Sequence, residues 1–474
     1  MFVWNGYRRS MSFMPSLLSM MIRGVRIDID RKAELEVKFK AQAEFHLRQI
    51  WELEGEEVNI NSPKQMTALL YYKHNFKVQL NHKTKRPTTD KDALQKLKRL
   101  YPNEPVLEHI LQFRKFEKLH NTYAKMQIAG DQRARTNYGF TSTWRLTSSE
   151  SHFGGGGNLQ NIPSRTAEGR EVRKLFIPDK MHKYSESKLP SILDHLRNFG
   201  HPRTAETFIL GSMLFLRIDL SQAEARVVAW EAQDHEKMQA FLDPHTDVHW
   251  ENAKIVFELP QTLEYEKKKK VGNPITSTHH TLYQYRNLGK TVVHAANYGM
   301  GPIMLQIILA REGFIINQAL AKRLLRGYVS RNPQLDNWHR EIREKVRATR
   351  TLVSSFGRKR TFYGRFNDSL WRVAYAFSPQ NTVGEMLEQA IQKTWEKCPY
   401  IQPLLNVHDE MVAQIEPHNL ARAIRDTKKI FEIPLTIKGQ TLVIPADFSV
   451  GWNWGECEEL SNETVSRALS NFDN

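Results

Sequence analysis

The stretch Arg286-Asn287-Leu288-Gly289-Lys290-Thr291-Val292-Val293-His294-Ala295-Ala296-Asn297-Tyr298, closed by Gly299-Met300-Gly301-Pro302, decides how the rest of the chain is read. Arg286, Lys290, His294 and Tyr298 recur every four residues, so on a helix they share one face that starts with two cations and ends with an aromatic ring. Cations in the first turns oppose the partial positive charge of a helix N-terminus, and a docked polyphosphate would relieve that conflict. A solvated basic face and a packed aromatic helix end would leave the same letters. The remainder of the chain has to decide between them.

At 474 residues and 40% hydrophobic content the chain is long enough for about three domain-sized units with real cores. Sixty-eight Lys and Arg against 52 Asp and Glu give a formal charge of +16 and a pI near 9.6, which suits a polyanion such as nucleic acid. An anionic membrane surface is the competing explanation for that charge. No apolar run approaches a membrane span, because the longest, Phe208 to Leu216, is broken by Gly211-Ser212 and stops at Arg217. Two cysteines, Cys398 and Cys457, are too few for a disulfide framework and agree with a reducing, cytoplasmic interior.

Residues 1–27 hold Arg8, Arg9, Arg23 and Arg26 with no acid before Asp28, as an organelle transit peptide would. The helical spacing of Met14, Leu17, Leu18, Met21, Ile22 and Val25 favours instead one continuous element running into Gly24-Val25-Arg26-Ile27-Asp28. From about 28 to 128 the pattern is helical and charged. It comprises a long helix from Arg31 to Leu53, a capped start at Ser62-Pro63 running through Leu70, and a helix from Val106 to about Ile128. Between them, Lys83 to Arg99 is a basic, turn-rich stretch that fits either a phosphate grip or a solvated loop.

Beyond Gly139, Phe140 to Thr147 reads as one strand, and the flexible Gly154–Gly157 run leads into Asn158-Leu159-Gln160-Asn161-Ile162-Pro163-Ser164-Arg165. Amides and Arg of this kind suit minor-groove acceptors, although Asn-rich loops are common. Residues 180–207 read as an insertion with a short helix at 191–199 and no assigned role. Leu214 to Ile218 is an apolar strand ending at Asp219, and Ser221 to Glu224 reads as a capping box opening a helix. A carboxylate at such a junction is placed to hold a divalent cation. His245, Asp247 and His249 fit a helix start or a zinc site. A basic turn, Phe356 to Arg360, precedes a helix from about Ser369 to Trp395. Apolar runs 404–407 and 411–415 flank His408-Asp409-Glu410 as a hairpin with acids at its tip, where Asp is also an ordinary turn residue.

Taken in order, Asp219-x-Ser221-Gln222-x-Glu224-x-Arg226, Arg286-x3-Lys290-x7-Tyr298-Gly299 and Val407-His408-Asp409-Glu410 resemble the three motifs of the family A, DNA polymerase I-like, DNA polymerases. Asn158-Leu159-Gln160-Asn161-Ile162-Pro163 and Arg145-Leu146 with Ser148-Ser149 reinforce the likeness, which extends to Gly451-Trp452-Asn453-Trp454. The compact wording of the motifs is more similar to phage than to bacterial members. The resemblance implies an α+β right hand with an antiparallel-sheet palm and helical thumb and fingers. Its segments are a thumb with N-terminal helix over 1–138, palm over 139–228 and 366–474, and fingers over 229–365.

It further implies template-directed DNA synthesis from a primer 3′-OH and dNTPs. Asp219, Asp409 and the Leu220 carbonyl would hold two magnesium ions, with manganese as a substitute and Glu410 as an accessory acid. Arg286, Lys290, His249 and Gln222 would bind the triphosphate, Tyr298 would pack on the templating pair, and His294 would stand by the sugar. Glu224 would crowd the 2′ position. Arg145, Asn158, Gln160, Asn161, Arg165, Arg372, Gln380 and His408 would line the primer–template. Two positions depart from the family pattern: His294 replaces the usual Phe or Tyr, and Ala376 replaces a frequent Asn.

About 27 residues precede the thumb-like segment, so the expectation is a polymerase without its own exonuclease domain, with proofreading or processivity supplied by a separate chain in a host cytoplasm or nucleoid. The competing readings are a related right-hand enzyme, reverse transcriptase or RNA polymerase, and a non-catalytic DNA-binding protein.

Overall fold

The strand Leu214–Leu220 is the middle of a five-stranded antiparallel sheet whose order is 402–407, 410–415, 214–220, 446–451 and 458–459. The computed structural model to which these strands belong describes residues 2–81, 84–181, 186–272 and 279–470. Alternation sets what each face does. Leu214, Leu216, Ile218 and Leu220 point into one core, shared with Val383, Met386 and Ile391 of the helix Asp368–Lys397. Phe215 points into a second core with Leu404, Val412 and Trp454. That second face should continue through 217 and 219, but those positions are Arg217 and Asp219. The apolar run therefore ends in charge on one side only, at the end of the sheet where the hairpin 402–415 turns.

Two helical bodies flank the sheet. In the first, the helices Ile29–Glu54 and Pro105–Leu119 pack lengthwise through Phe39, Ile50, Leu107, Ile110 and Phe113. Full burial of each such side chain contributes about 1.5–3 kcal/mol. The second joins the helices Val248–Val256, Leu282–Asn297, Gln318–Ser330 and Pro333–Thr349 around Trp250, Tyr285, Phe314 and Trp338. Here Gly289 is required by contact: a Cβ at that position would lie 2.7 Å from the Ala253 side chain. The helix that carries Arg286 and Lys290 is thereby drawn onto its neighbour. No helix among the described residues is long and apolar enough to cross a membrane.

Several local expectations are corrected. The N-terminal helix, Phe2–Arg23, does not continue through residue 28. Gly24 takes φ +61°, where a Cβ would strike the Ala134 carbonyl at 2.6 Å, and Val25–Ile27 becomes a strand. Residues 140–147 form a hairpin instead of one strand, pairing Asn137–Phe140 with Leu146–Ser149. The turn is closed by Thr141, whose hydroxyl accepts the Arg145 N–H at 3.1 Å, and by Trp144 at φ +62°. The helices begun at Pro63 and Pro105 both widen into π-helical turns, at 68–73 and 120–124, so the second stops short of Ile128. At Ser62 only half of a capping box forms: Ser62 accepts from Gln65, but the Gln65 side chain accepts from Asn59. In the basic stretch Lys83–Arg99, Lys83 lies outside the described residues, as do residues 182–185 of the insertion. The insertion's helix spans Leu189–Phe199, and the helix expected from Ser369 spans Asp368–Lys397 with Pro379 inside it.

Candidate active site

Asp219 and Asp409 meet at the charged end of the sheet. Asp219 pairs across the ladder with Glu410 on one side and with Asp447 on the other, and the Leu220 N–H donates to the Asp409 carbonyl at 3.3 Å. Asp409 is carried by a two-residue turn in which His408 takes φ +58°, a conformation that brings the chain straight back into the strand Glu410–Ile415. Four acids thus converge. Burial at the cleft floor, with Glu410, Asp409 and Asp447, raises the Asp219 pKa even though water reaches its carboxylate. Burial likewise raises Asp409, against the pull of Arg145.

Glu410 differs from its neighbours. Its carboxylate takes a bidentate pair from Arg217, at 2.8 and 2.5 Å, and is 8% exposed, so it is committed to holding Arg217 within the sheet face. Asp447 was not singled out from the sequence. Burial raises its pKa too, opposed by a hydrogen bond with Ser221. Its one signal was an acid at an otherwise apolar strand start, Ala446-Asp447-Phe448.

The Ser221–Glu224 capping box does not form. Gln222 is the N-cap residue at φ +51° with no capping hydrogen bond, and the Ser221 N–H is bonded to the Pro445 carbonyl. Glu224 is released for other contacts: it pairs with Arg145 at 2.5 Å and accepts from the Tyr298 hydroxyl. Burial, then Glu224, drives the Tyr298 pKa well above its usual value. Arg145 Nη2 is also 2.5 Å from Asp409, so one guanidinium joins Glu224 to Asp409. Burial lowers His294, with Glu224 opposing and Lys290 and Arg145 adding to the effect.

The helix bearing the cations starts a turn earlier than expected. Thr281 and Gln284 form a full capping box ahead of Leu282, so Arg286 lies in the second turn and Lys290 in the third, past the reach of the terminal dipole. Side chains hold the cations instead. Arg286 Nε is 2.5 Å from Asp247, whose other oxygen caps the Val248–Val256 helix at the His249 and Trp250 N–H groups, both 3.1 Å. His-x-Asp-x-His is therefore a helix start, and among the described residues no group of three or more His, Cys, Asp or Glu encloses a metal. Lys290 lies within the field of both acids. Burial, Arg286 and Arg165 lower its pKa while Asp219 and Asp409 pull it the other way. His249 is 2% exposed with neither ring nitrogen hydrogen-bonded, and burial with Lys290 and Arg286 drives it down to about 2, so it stays neutral. Gln222 Oε1 is a further buried acceptor without a partner. An orphaned ring beside two cations, as His249 is, suits a polar ligand.

The remaining candidates divide. Gln160 spends its amide N–H groups indoors, on Asn406 at 3.0 and 3.2 Å and on the Leu146 carbonyl. The Asn158 side chain caps Asn161 N–H at 3.2 Å. Arg165 is exposed and 3.5 Å from Glu312. Arg372 and His408 are exposed, Asn161 is exposed, and Gln380 is half-buried on the Asp368–Lys397 helix. Arg372 and Tyr375 lie against Gly299, the residue after Tyr298.

The family model described as DNA polymerase family A matches residues 29–189 and 197–456. Residues 190–196, left out of the match, fall in the Leu189–Phe199 helix of the insertion. DNA polymerase I of Helicobacter pylori is 29% identical over 431 residues, covering 88% of this chain and 40% of that protein. DNA polymerase I of Streptococcus pneumoniae is 27% identical over 457 residues, covering 93% and 45%. The chain spans less than half the length of these two relatives. A solved structure, the POL domain of Pol1 from M. smegmatis in complex with DNA primer-template and dNTP, superposes with a TM-score of 0.74 at 21% identity over 94% of this chain and 70% of that one. Its fold is a polymerase domain. With the model match covering most of its length, the chain belongs to DNA polymerase family A.

Proposed function

We propose that this chain extends a primer 3′-OH on a DNA template by transferring nucleotides from dNTPs. The observation that carries the reading is the pairing of Asp219 and Asp409 at one sheet end, joined by the 3.3 Å Leu220–Asp409 backbone bond, with Lys290 of the facing helix in their field. The sheet would be the palm, the helices of residues 1–138 the thumb and those of 229–365 the fingers.

The residues fit magnesium. Its coordination asks for one or two carboxylates with the remaining positions left to water and substrate phosphate oxygens, and Asp219 and Asp409, brought together at one sheet end, offer carboxylate oxygens only. Asp219, Asp409 and the Leu220 carbonyl would hold two such ions, or manganese, which when bound would lower the pKa of the attacking hydroxyl and stabilise the leaving pyrophosphate. The chain's own groups do the rest. Lys290 and Arg286 would bind the triphosphate as fixed charges, and neutral His249 would donate one hydrogen bond to it. Tyr298 would present its ring to the base pair, while Glu224, fixed by Arg145 and Tyr298, would narrow the space at the sugar 2′ position.

Primer extension on a primer–template with dNTPs tests the reading. Template-coded products that require a divalent cation support it. No product at any divalent cation concentration, from folded protein that binds the DNA, contradicts it, and preferential use of rNTPs would assign a different product.

A further inference from the structure

Four consecutive lysines, Lys267 to Lys270, stand just ahead of the helix that carries Arg286 and Lys290, and the polymerase chemistry above gives them no task. All four are exposed. The Glu266 carbonyl accepts the Lys269 N–H at 3.1 Å, so Lys267 and Lys268 occupy the middle of a tight turn. The backbone then fastens the run to the helix. Lys270 pairs with Thr281 in a short ladder, and the Leu282 N–H donates to the Lys269 carbonyl at 2.9 Å.

The approach to the turn is fixed as well. The Trp250 Nε1–H donates to the Leu263 carbonyl at 3.1 Å, and the Trp250 and Tyr265 ring centroids lie 5.6 Å apart. Burial raises the Tyr265 pKa, with Arg286 opposing and Asp247 adding to it, so the segment passes the Arg286–Asp247 pair before it reaches the lysines.

Beyond the turn, the Lys267 ammonium lies 5.3 Å from the centroid of the Tyr283 ring. Arg286 and Lys290 follow Tyr283 by three and seven residues, which puts all three on one face of the helix. At about 1.5 Å of rise per residue, Tyr283 stands about 4.5 Å outward of Arg286 and about 10 Å outward of Lys290. Lys267 thus extends the cationic row outward by one step, and the inner end of that row lies in the field of Asp219 and Asp409.

Nothing in the fold uses this charge. The ion-paired acids nearby are taken, Glu251 by Lys254, Asp247 by Arg286 and Glu258 by Arg323, and among the described residues none of the four lysines has an ion pair. Glu264 and Glu266 offset only two of the four charges. Cations held side by side repel one another unless an anion joins them. A row that leads from open water to paired acids suits a short polyanion able to pass along it, whereas a stiff duplex could touch only its outer end.

We propose that Lys267 to Lys270 form an outer polyphosphate site, where the triphosphate tail of a nucleotide, or released pyrophosphate, rests on its way to or from Arg286 and Lys290. Lys267, over Tyr283, makes the handover. The site raises the local concentration of its ligand and takes no part in bond making. The inference rests on the polymerase reading above.

The test compares the wild type with the full chain carrying Lys267→Gln, Lys268→Gln, Lys269→Gln and Lys270→Gln. Calorimetric binding of inorganic tripolyphosphate, without DNA or nucleotide, weakens about five- to tenfold in the variant at low salt and less than about twofold at about 0.5 M salt. Equal binding at low salt overturns the proposal. Primer extension separates the two sources. A fall of about fivefold in kcat/KM for dNTP, with kcat held within about twofold, assigns the site to the incoming tail. A rise of about fivefold in the pyrophosphate concentration that halves extension assigns it to the product, and both changes together assign it to both. Neither change overturns the proposal, as does a loss of primer–template affinity that accounts for the whole effect. A Lys267→Gln, Lys268→Gln double variant, confined to the turn, gives the same readouts if the fourfold variant does not fold. If the wild type extends no primer yet binds tripolyphosphate through these lysines, only the polymerase reading falls; if it extends primers and the lysines change nothing, only this proposal falls.

Discussion

The Arg145 guanidinium lies 2.5 Å from the carboxylate of Asp409, and the same nitrogen lies 2.5 Å from Glu224. One cation thus holds together two acids from different elements, neither of which is fully exposed. Without it, Asp409, Glu224 and Asp219 repel one another with less countercharge beside them. Arg145→Ala is expected to lower the rate of primer extension about 100-fold while moving dNTP KM less, because the reacting groups lose alignment. Steady-state extension with varied dNTP checks this, and an unchanged rate would show that Arg145 is only a surface contact.

Glu224 has its two oxygens engaged by Arg145 and the Tyr298 hydroxyl, so it cannot swing aside freely. If it narrows the sugar site, Glu224→Ala raises ribonucleotide over deoxyribonucleotide incorporation by about 10- to 100-fold. The ratio of kcat/KM for matched rNTP and dNTP reads it, and a ratio equal to the wild type's assigns Glu224 to structure alone.

Glu231 is buried and accepts from the Ser378 hydroxyl at 2.5 Å; burial raises its pKa to about 7. A carboxyl whose folded pKa is raised holds its proton more tightly when folded. Its contribution is complete below the unfolded value near 4.5 and is lost as pH climbs through about 7. Glu231→Gln removes that loss. The variant is expected to match the wild type at pH 5 and to be more stable at pH 8 by on the order of 2–3 kcal/mol. Denaturant midpoints at the two pH values measure it, and identical pH profiles would rule the effect out.

Glu385 is 1% exposed and receives Arg9 Nε at 2.9 Å from the N-terminal helix and Arg358 from the loop before residue 360. Arg358 in turn lies 4.0 Å from the Trp144 ring, next to Arg145. Glu385→Ala leaves the buried Arg358 guanidinium without its carboxylate, and a cost of about 3–5 kcal/mol is expected. A thermal midpoint within a degree or two of wild type would show that water replaces the carboxylate.

The sequence was most legible where pattern and geometry coincide. The hairpin 402–415 was readable because two apolar runs bracket a short polar tip, and that tip needs only a two-residue turn. The meeting of Asp219 with Asp409 was readable only through ordered motifs, since strand pairing across 189 intervening residues leaves no local trace. Local rules misled where tertiary contacts offered a better partner. Ser221 and Glu224 spell a capping box, but Arg145 and Tyr298 claim the glutamate. Arg286 was read as a helix start although Thr281 and Gln284, a turn earlier, carry the actual cap. Asp447 and Arg217 went unseen because nothing distinguishes a lone charge in an apolar strand from a loop acid until the neighbouring strand is known.

The central claim is that Asp219 and Asp409 act together. Single-turnover primer extension with Asp219→Asn and with Asp409→Asn, each shown to bind primer–template within about twofold of the wild type, tests it most directly. The account predicts that each substitution slows nucleotide transfer on the order of a thousandfold and that the double variant is scarcely slower than either. Transfer at the wild-type rate by either single variant would contradict it.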